Sequence, residues 1–244
     1  MILIRILILA MLVLAALPAQ AALKIDVSES TIQVTTGFNG TSITVFGLQD
    51  SPGDVVLVIE GPNKDFTVRK KGSTLGLWTN VDSRKFKDAP AYYEVAASSA
   101  LPMITSAEIL AAHQIGVENL SILDKRKSNS VRTQAFREAF LRGQAEQQLY
   151  VMDTRPLDYV SPQLFKARFM LPAQVPSGRY NVIAYLFQNG QVIQTDQTRF
   201  DVRPVGVSAD MRSFAQENSF FYGLTAILMA LFAGWMATVL LKRD

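Results

Sequence analysis

The sequence contains no cysteine and only one histidine, His113, among its 244 residues. The missing thiols exclude cysteine nucleophiles, thiolate metal sites, disulfides and lipid attachment through a cysteine. The motifs G-x-S-x-G and H-E-x-x-H are also absent. Glu60, Asp82 and Glu94 are scattered carboxylates, and their spacing predicts no acid/base pair. We therefore expect no catalytic residues, no cofactor and no metal, so the chain is not expected to be an enzyme.

Charge is absent from a long stretch near the C-terminus. Residues 220–241 carry no charged side chain, and a helix of that length spans about 33 Å, against the roughly 30 Å hydrocarbon layer of a bilayer. Aromatic residues stand at the start of this stretch, and Lys242 and Arg243 follow its end. Cations at that end favour a cytoplasmic tail, 242–244, by the positive-inside rule. The sequence predicts one transmembrane helix with the rest of the chain outside.

The N-terminal residues 1–21 follow the order of a secretory signal peptide. Arg5 precedes an apolar run over 6–17, and the small-x-small triplet Ala19-Gln20-Ala21 follows. A second membrane anchor is the alternative interpretation. The short run and the position of the small residues favour cleavage, which leaves 1–21 out of the folded domain.

Net charge is small once both ends are set aside. Without Arg5, Lys242, Arg243 and Asp244, the chain has 21 basic and 20 acidic residues. A nucleic-acid-binding protein usually has a concentrated basic face, so we expect no nucleic-acid partner. A cysteine-free exported domain with a short signal is typical of the bacterial periplasm, which predicts a single-pass protein of the inner membrane.

Residues 22–103 read as short strands between turns. "TSITVFGL" places Ile43 and Val45 on one face, and "GDVVLVIEGPNK" is a continuous apolar strand that ends at Gly61-Pro62-Asn63. Phe66 and Val68 alternate with polar residues in the next strand. Runs of this length, spaced about ten residues apart, are typical of a sandwich or barrel.

The spacing of apolar residues changes from that of strands to that of helices over 104–150, which we interpret as a helical insertion. In "ITSAEILAAHQIG", Thr105 and Glu108 match a capping box, and Gly116 predicts the helix end. A second helix is expected from about Ser130, because Phe136 and Phe140 are spaced four residues apart.

Strands return over 151–207 and complete the predicted sandwich. "LFKARFML" alternates buried-type and charged residues, and Asn189-Gly190 is the favoured pair for a type I′ hairpin turn. The fold class is mainly β: an immunoglobulin-like sandwich, or two joined β units, with the helical insertion and one C-terminal transmembrane helix. A juxtamembrane segment, 208–219, leads into the helix at 220–241.

The stretch "GLWTNVDSRKF" holds the candidate recognition surface, formed by Trp78, Asn80, Asp82 and Arg84. Aromatic and arginine side chains beside polar groups are typical of such surfaces. The alternative is that Trp78 packs in the sandwich core and the polar residues form a solvated turn.

Basic residues cluster around this stretch and predict either an anion-binding or lipid-head-group surface or simply a solvated strand face. They are Arg69, Lys70, Lys71, Arg84, Lys85 and Lys87.

Small residues recur every four positions in the predicted membrane helix: Ala226, Ala230, Gly234 and Thr238. Such a stripe lets another helix approach closely. It is the candidate packing face for a multi-pass membrane partner, although small residues are frequent in any membrane helix.

The segments "TTGFNGTSITVFG", "GDVVLVIEGP", "GLWTN" and "AYYEVAASS", between a signal peptide and one terminal membrane helix, resemble the Alph_Pro_TM family of alphaproteobacterial transmembrane proteins. The resemblance covers essentially the whole chain. It implies no catalytic residues, and it implies a sulfite-exporter-like permease as a partner. The expected function is a periplasm-facing accessory subunit of an inner-membrane complex; the alternative is a membrane-tethered module that binds a solute or envelope component.

Overall fold

The computed structural model describes residues 23–74, 76–124, 131–206, 215 and 217–241. The predicted signal peptide (1–21) and cytoplasmic tail (242–244) lie outside these residues, as does most of the juxtamembrane segment (208–219).

Strands dominate the described part of the chain, as predicted. They are β1 Leu23–Val27, β2 Thr31–Val34, β3 Thr41–Gln49, β4 Asp54–Glu60, β5 Asn63–Thr74, β6 Leu77–Pro90, β7 Tyr93–Ala97, β8 Leu123–Asp124, β9 Arg155–Pro156, β10 Asp158–Tyr159, β11 Leu164–Leu171, β12 Gly178–Gln188 and β13 Gln191–Pro204. The helices are α1 Leu101–Ile104, α2 Ala107–Ala112, α3 Val131–Glu146 and α4 Ser219–Leu241, with a 3-10 turn at Val117–Asn119.

The strands form three sheets whose order is set by pairing between distant parts of the chain. One sheet has the order β1-β3-β11-β10, the second β2-β13-β12-β4-β7-β9, and the third β5-β6-β8. Strands from before and after the helical insertion pair directly, because β3 lies beside β11 and β4 beside β12. The β regions therefore form one unit rather than two. The immunoglobulin-like assignment stays a prediction, which the order β1-β3-β11 and β13-β12-β4-β7 supports.

The core lies between the first two sheets, where the predicted alternation holds. Phe165, Ala167 and Phe169 of β11 are buried, whereas Arg168 between them is exposed. β4 is buried along its whole length except for its ends, as expected for a strand covered on both faces. One continuous hydrophobic cluster includes residues from both sheets and from the helical insertion.

The helical insertion differs from its prediction at its start and at its end. Thr105 is the C-cap of α1 rather than the N-cap of the next helix: its N–H donates to the Leu101 carbonyl, and the N-cap of α2 is Ser106, which makes no side-chain cap hydrogen bond. The Thr105 hydroxyl instead donates to the Gly190 carbonyl at 2.6 Å. α2 ends four residues before Gly116. The predicted capping box was therefore wrong, because Ser106 rather than Thr105 holds the N-cap position of α2.

The second predicted helix and the predicted hairpin are confirmed. α3 begins one residue after Ser130 and buries Phe136 and Phe140. The β12–β13 turn has φ of 51° at Asn189 and 77° at Gly190, as a type I′ turn requires.

The C-terminal helix α4 is confirmed and starts one residue before the predicted span. Its stretch Ser219–Thr238 is the one helix in the described residues that is long and apolar enough to cross a membrane. None of that stretch is buried against the rest of the described chain, so its apolar surface is available to lipid or to another helix.

Candidate functional site

The four residues of the predicted recognition surface all lie on β6, but they differ in exposure. Trp78 is 76% exposed and Asn80 is also exposed, whereas Asp82 is half-buried and Arg84 is buried. The alternative that Trp78 packs in the sandwich core was therefore wrong. Trp78 and Asn80 form the accessible part of this surface, with Asp82 at its margin.

Strands β5 and β6 keep the register of β4 and β7 across an interruption of two residues on each side. The last pair in the six-stranded sheet joins Glu60 to Tyr93, and the first pair beyond it joins Asn63 to Pro90. The two strand pairs therefore form one antiparallel ribbon, and we call its outer half, β5 and β6, the arm. At the junction of the two halves, two hydrogen bonds join the paired segments. The N–H of Gly61 donates to the carbonyl of Tyr92 (2.8 Å), and the N–H of Ala91 donates to the carbonyl of Pro62 (2.9 Å).

The arm leaves the six-stranded sheet at the end of the sandwich from which the chain continues toward α4. Glu60, at the end of β4, lies opposite Asn181 near the start of β12. Gly178, the first residue of β12, lies opposite Val202, and β13 ends two residues later at Pro204. The base of the arm and the exit of the chain therefore share one end of the sandwich.

The far end of the arm combines exposed apolar and basic side chains. Leu77 and Trp78, which we call the arm tip, stand beside the turn and are 70% and 76% exposed. Arg69, Lys70 and Lys71 lie on the opposite strand and are exposed as well. Apolar and cationic groups are therefore both open to solvent at this end of the ribbon.

Helix α3 covers the base of the arm through aromatic contacts. The Phe140 ring lies 5.1 Å from that of Phe66 on β5 and 5.4 Å from that of Phe86 on β6. It also meets Tyr150 edge-on at 5.7 Å. Farther out, an open groove of about 870 Å³ lies between the arm and α3; it is lined by Val68, Arg69, Lys70, Val81, Asp82, Ala135, Phe136 and Ala139. Its wall is mainly apolar with charged groups at the rim.

A buried ion pair ties strand β9 to the sandwich interior. Glu94 is fully buried on β7, where it accepts hydrogen bonds from the Arg155 guanidinium and the Tyr92 hydroxyl. The Tyr92 hydroxyl also lies 3.2 Å from the Met170 carbonyl on the other sheet. Burial, followed by the nearby Glu94 charge, raises the pKa of Tyr92 well above its usual value. The cluster therefore holds the two sheets and β9 together with a neutral phenol.

The remaining residues considered for chemistry do not converge. His113 follows α2 and is exposed, with its ring 5.3 Å from that of Tyr185. Glu60 is partly buried, and desolvation raises its pKa. Within residues 23–74, 76–124, 131–206 and 217–241, no group of three or more histidine, aspartate or glutamate side chains is arranged to hold a metal.

The small-residue stripe of α4 lies on an open helix surface. Ala226, Ala230, Gly234 and Thr238 are all exposed, and a Cβ built on Gly234 would meet no atom within 4 Å. The structure therefore leaves room for another helix at this face.

Sequence reasoning missed Arg155 and the continuity of the ribbon. Arg155 meets Glu94 across 61 residues of chain, and no local pattern relates the two. Gly61-Pro62-Asn63 predicts the strand end that the structure has at Glu60, but it does not predict that pairing resumes in the same register at Asn63. The one sequence signal for a further strand was the alternation of apolar and polar or charged residues along β5, which is typical of a strand with a solvated face.

Comparisons with known proteins place the chain in a family of membrane proteins. No curated protein matches it. The chain is similar to a solved structure described as "Crystal structure of Spo0M, sporulation control protein, from Bacillus subtilis", with 12% identity over 81% of this chain and 55% of that one, and a TM-score of 0.28. This chain thus spans about half the length of that protein. The family described as "Putative transmembrane protein (Alph_Pro_TM)" matches residues 22–243. The chain belongs to this family of transmembrane proteins.

Proposed function

We propose that the protein is a single-pass accessory subunit of a bacterial inner-membrane complex, with the sandwich in the periplasm and the C-terminus in the cytoplasm. The observation that carries the proposal is the terminal helix, which is apolar throughout and makes no buried contact with the described domain. A multi-pass membrane protein is the proposed partner. A sulfite-exporter-like permease is the candidate that the family resemblance implies.

The face of α4 that would meet this partner is the small-residue stripe. Helices in lipid gain little from hydrophobic burial, so close packing of small residues supplies much of their association. The stripe extends over about three turns, from Ala226 to Thr238, with the bulky Ile227 and Leu231 beside it and Phe232 on another side of the helix. A run of small side chains at this spacing supports a docking helix over a simple anchor, for which length and hydrophobicity alone would suffice.

Co-purification of the full chain in mild detergent tests the proposal. Gly234→Leu places bulk on the stripe, whereas Thr225→Leu adds bulk nine residues away, two and a half turns along and so on the opposite side of the helix. We expect a stoichiometric multi-pass protein with the unaltered chain and with Thr225→Leu, and its loss with Gly234→Leu. Equal retention by both variants, and by a poly-leucine helix, would show that α4 is only an anchor.

A membrane-tethered binding module is the second candidate, and the groove between the arm and α3 favours it. The groove is open, has a largely apolar wall and carries Arg69 and Lys70 at its rim, which suits a ligand with apolar and anionic parts. A retained small molecule without any multi-pass partner in the same purification would support this candidate over the first.

A further inference from the structure

We propose that the arm tip, Leu77 and Trp78, docks into the surface of the same bilayer that α4 spans, with Arg69, Lys70 and Lys71 held at its anionic head groups. This contact depends on the membrane span and on the geometry of the ribbon. It does not require the partner subunit, so the two proposals succeed or fail separately.

The exposure of the arm tip on both ribbon faces favours lipid over a protein surface. Leu77 and Trp78 are adjacent in one strand, so their side chains leave opposite faces of the ribbon. Both are more than two-thirds exposed, and Val81 nearby is 52% exposed. A protein partner lying on one face would leave the other apolar side chain in water. A bilayer surrounds an inserted hairpin end on all sides, and tryptophan is enriched at the membrane interface.

Charge places the neighbouring residues at the head-group level. Lys71 lies three residues before the end of β5, about 10 Å along the strand at 3.3 Å per residue. The polar region of each leaflet is on the order of 5–7 Å thick. With the arm tip at the edge of the hydrocarbon layer, Lys71 would therefore lie just above the head groups and Arg69, about 16 Å along the strand, within about one Debye length of them, so that each cation adds to binding of anionic lipid by an amount that falls with its distance.

The position of the arm on the sandwich allows the arm tip to reach the bilayer. The arm and the exit of the chain toward α4 share one end of the domain. Residues 205–218 separate β13 from α4, and 14 residues reach at most about 50 Å. The 12 residues of β5 extend about 40 Å beyond the sheet. A domain on such a tether keeps the arm tip within reach of the bilayer.

Fluorescence of Trp78 in the full chain tests the contact. Trp235 is the other tryptophan, so a Trp235→Phe background makes Trp78 the only reporter. This variant would be reconstituted into nanodiscs of pure phosphatidylcholine, or of phosphatidylcholine with about 30% phosphatidylglycerol, each prepared with and without acyl-chain-brominated lipid. We expect blue-shifted emission and quenching by brominated lipid in the anionic discs, with both reduced in neutral discs or at high salt.

Charge variants separate lipid docking from other contacts. The triple variant Arg69→Gln, Lys70→Gln and Lys71→Gln should lower the docked-to-undocked ratio about tenfold or more, since a cation at the surface contributes about fivefold and the contribution falls off over a Debye length. The matched control neutralises three cations on the four-stranded sheet, by Lys24→Gln, Lys166→Gln and Arg168→Gln, and should leave quenching unchanged.

Three outcomes would overturn the inference. Emission typical of water with no quenching in either disc would show that the arm tip stays in solvent. A blue shift without bromine quenching would show that it packs against protein. Equal quenching in neutral discs or in the arm triple variant would show that the cations do not direct the contact.

Discussion

The two halves of the ribbon share one pattern of backbone pairing but have opposite surroundings. Inside the sheet, the five residues from Val55 to Ile59 are at most 2% exposed. In the arm, β5 carries exposed cations, and β6 begins with the exposed Leu77 and Trp78. A two-stranded hairpin is at best marginally stable alone, and this one is supported by pairing with β8 and by the ring contacts of α3 only near its base. The difference indicates that the sandwich half stabilises the fold, and it supports the proposal that the outer half contacts the membrane.

The largest difference in the free energy of unfolding should come from shortening one leucine to alanine in each half of the ribbon. Leu57→Ala leaves a cavity in a fully buried site and should lower the free energy of unfolding by about 3 kcal/mol. Leu77→Ala removes a side chain that is 70% exposed and should change it by less than about 0.5 kcal/mol. Urea unfolding of the full chain in detergent measures both. Similar losses for the two variants would mean that the arm tip is part of the core.

Breaking the buried ion pair should have the next largest effect. Arg155→Met leaves the Glu94 carboxylate buried without its cation and should cost about 2 kcal/mol, less than for a fully enclosed pair because Arg155 is 37% exposed. The double variant Arg155→Met with Glu94→Gln should recover much of this loss in the same unfolding measurement. If the single variant unfolds like the unaltered chain, the pair does not hold β9 to the sandwich.

The junction between the two ribbon halves should tolerate no added side chain. A Cβ on Gly61 would lie 2.9 Å from both the backbone nitrogen and the Cβ of Tyr92, so Gly61→Ala should destabilise the fold by about 1–2 kcal/mol through overpacking. Gly37→Ala is the control, because a Cβ there meets nothing within 4 Å. Equal thermal midpoints for the two variants would contradict this close approach.

The smallest expected effect is a dependence on pH at the end of β4. Burial raises the pKa of Glu60, so the folded state holds this proton more tightly than the unfolded state. The contribution of Glu60 to stability should therefore rise as pH falls through the folded-state pKa and level off below the unfolded value near 4.5. Glu60→Gln should be more stable than the unaltered chain at pH 7 and should lose this part of the pH profile. If Glu60→Gln were less stable than the unaltered chain at pH 7, burial would not raise the pKa of Glu60.

The strands could be predicted from sequence because burial alternates along them. Ile43 and Val45 of β3 are buried, as the pattern indicated. Thr105 shows where such reasoning fails, since its hydrogen-bond partner Gly190 lies 85 residues away. The turn signal around Pro62 correctly predicts the end of β4, at Glu60. It does not predict that the register continues beyond it, where the Pro62 carbonyl accepts a hydrogen bond and its missing N–H is not needed.

The candidate site was only partly predictable for the same reason. The composition around Trp78 indicated a recognition surface, but exposure depends on which layer covers the strand. Helix α3 covers Phe86 at the base of the arm and leaves Trp78 open at its end. No local pattern specifies where a helix that begins about 50 residues later will lie.

The proposed function depends most directly on which side of the membrane the sandwich lies. The chain has no cysteine, so Met103→Cys on the 84%-exposed side chain of α1 and Asp244→Cys at the tail each introduce a single thiol. A membrane-impermeant maleimide applied to spheroplasts should label Met103→Cys at once and Asp244→Cys only after lysis. Labelling of Asp244→Cys in intact spheroplasts, with Met103→Cys protected until lysis, would contradict the periplasmic placement of the sandwich.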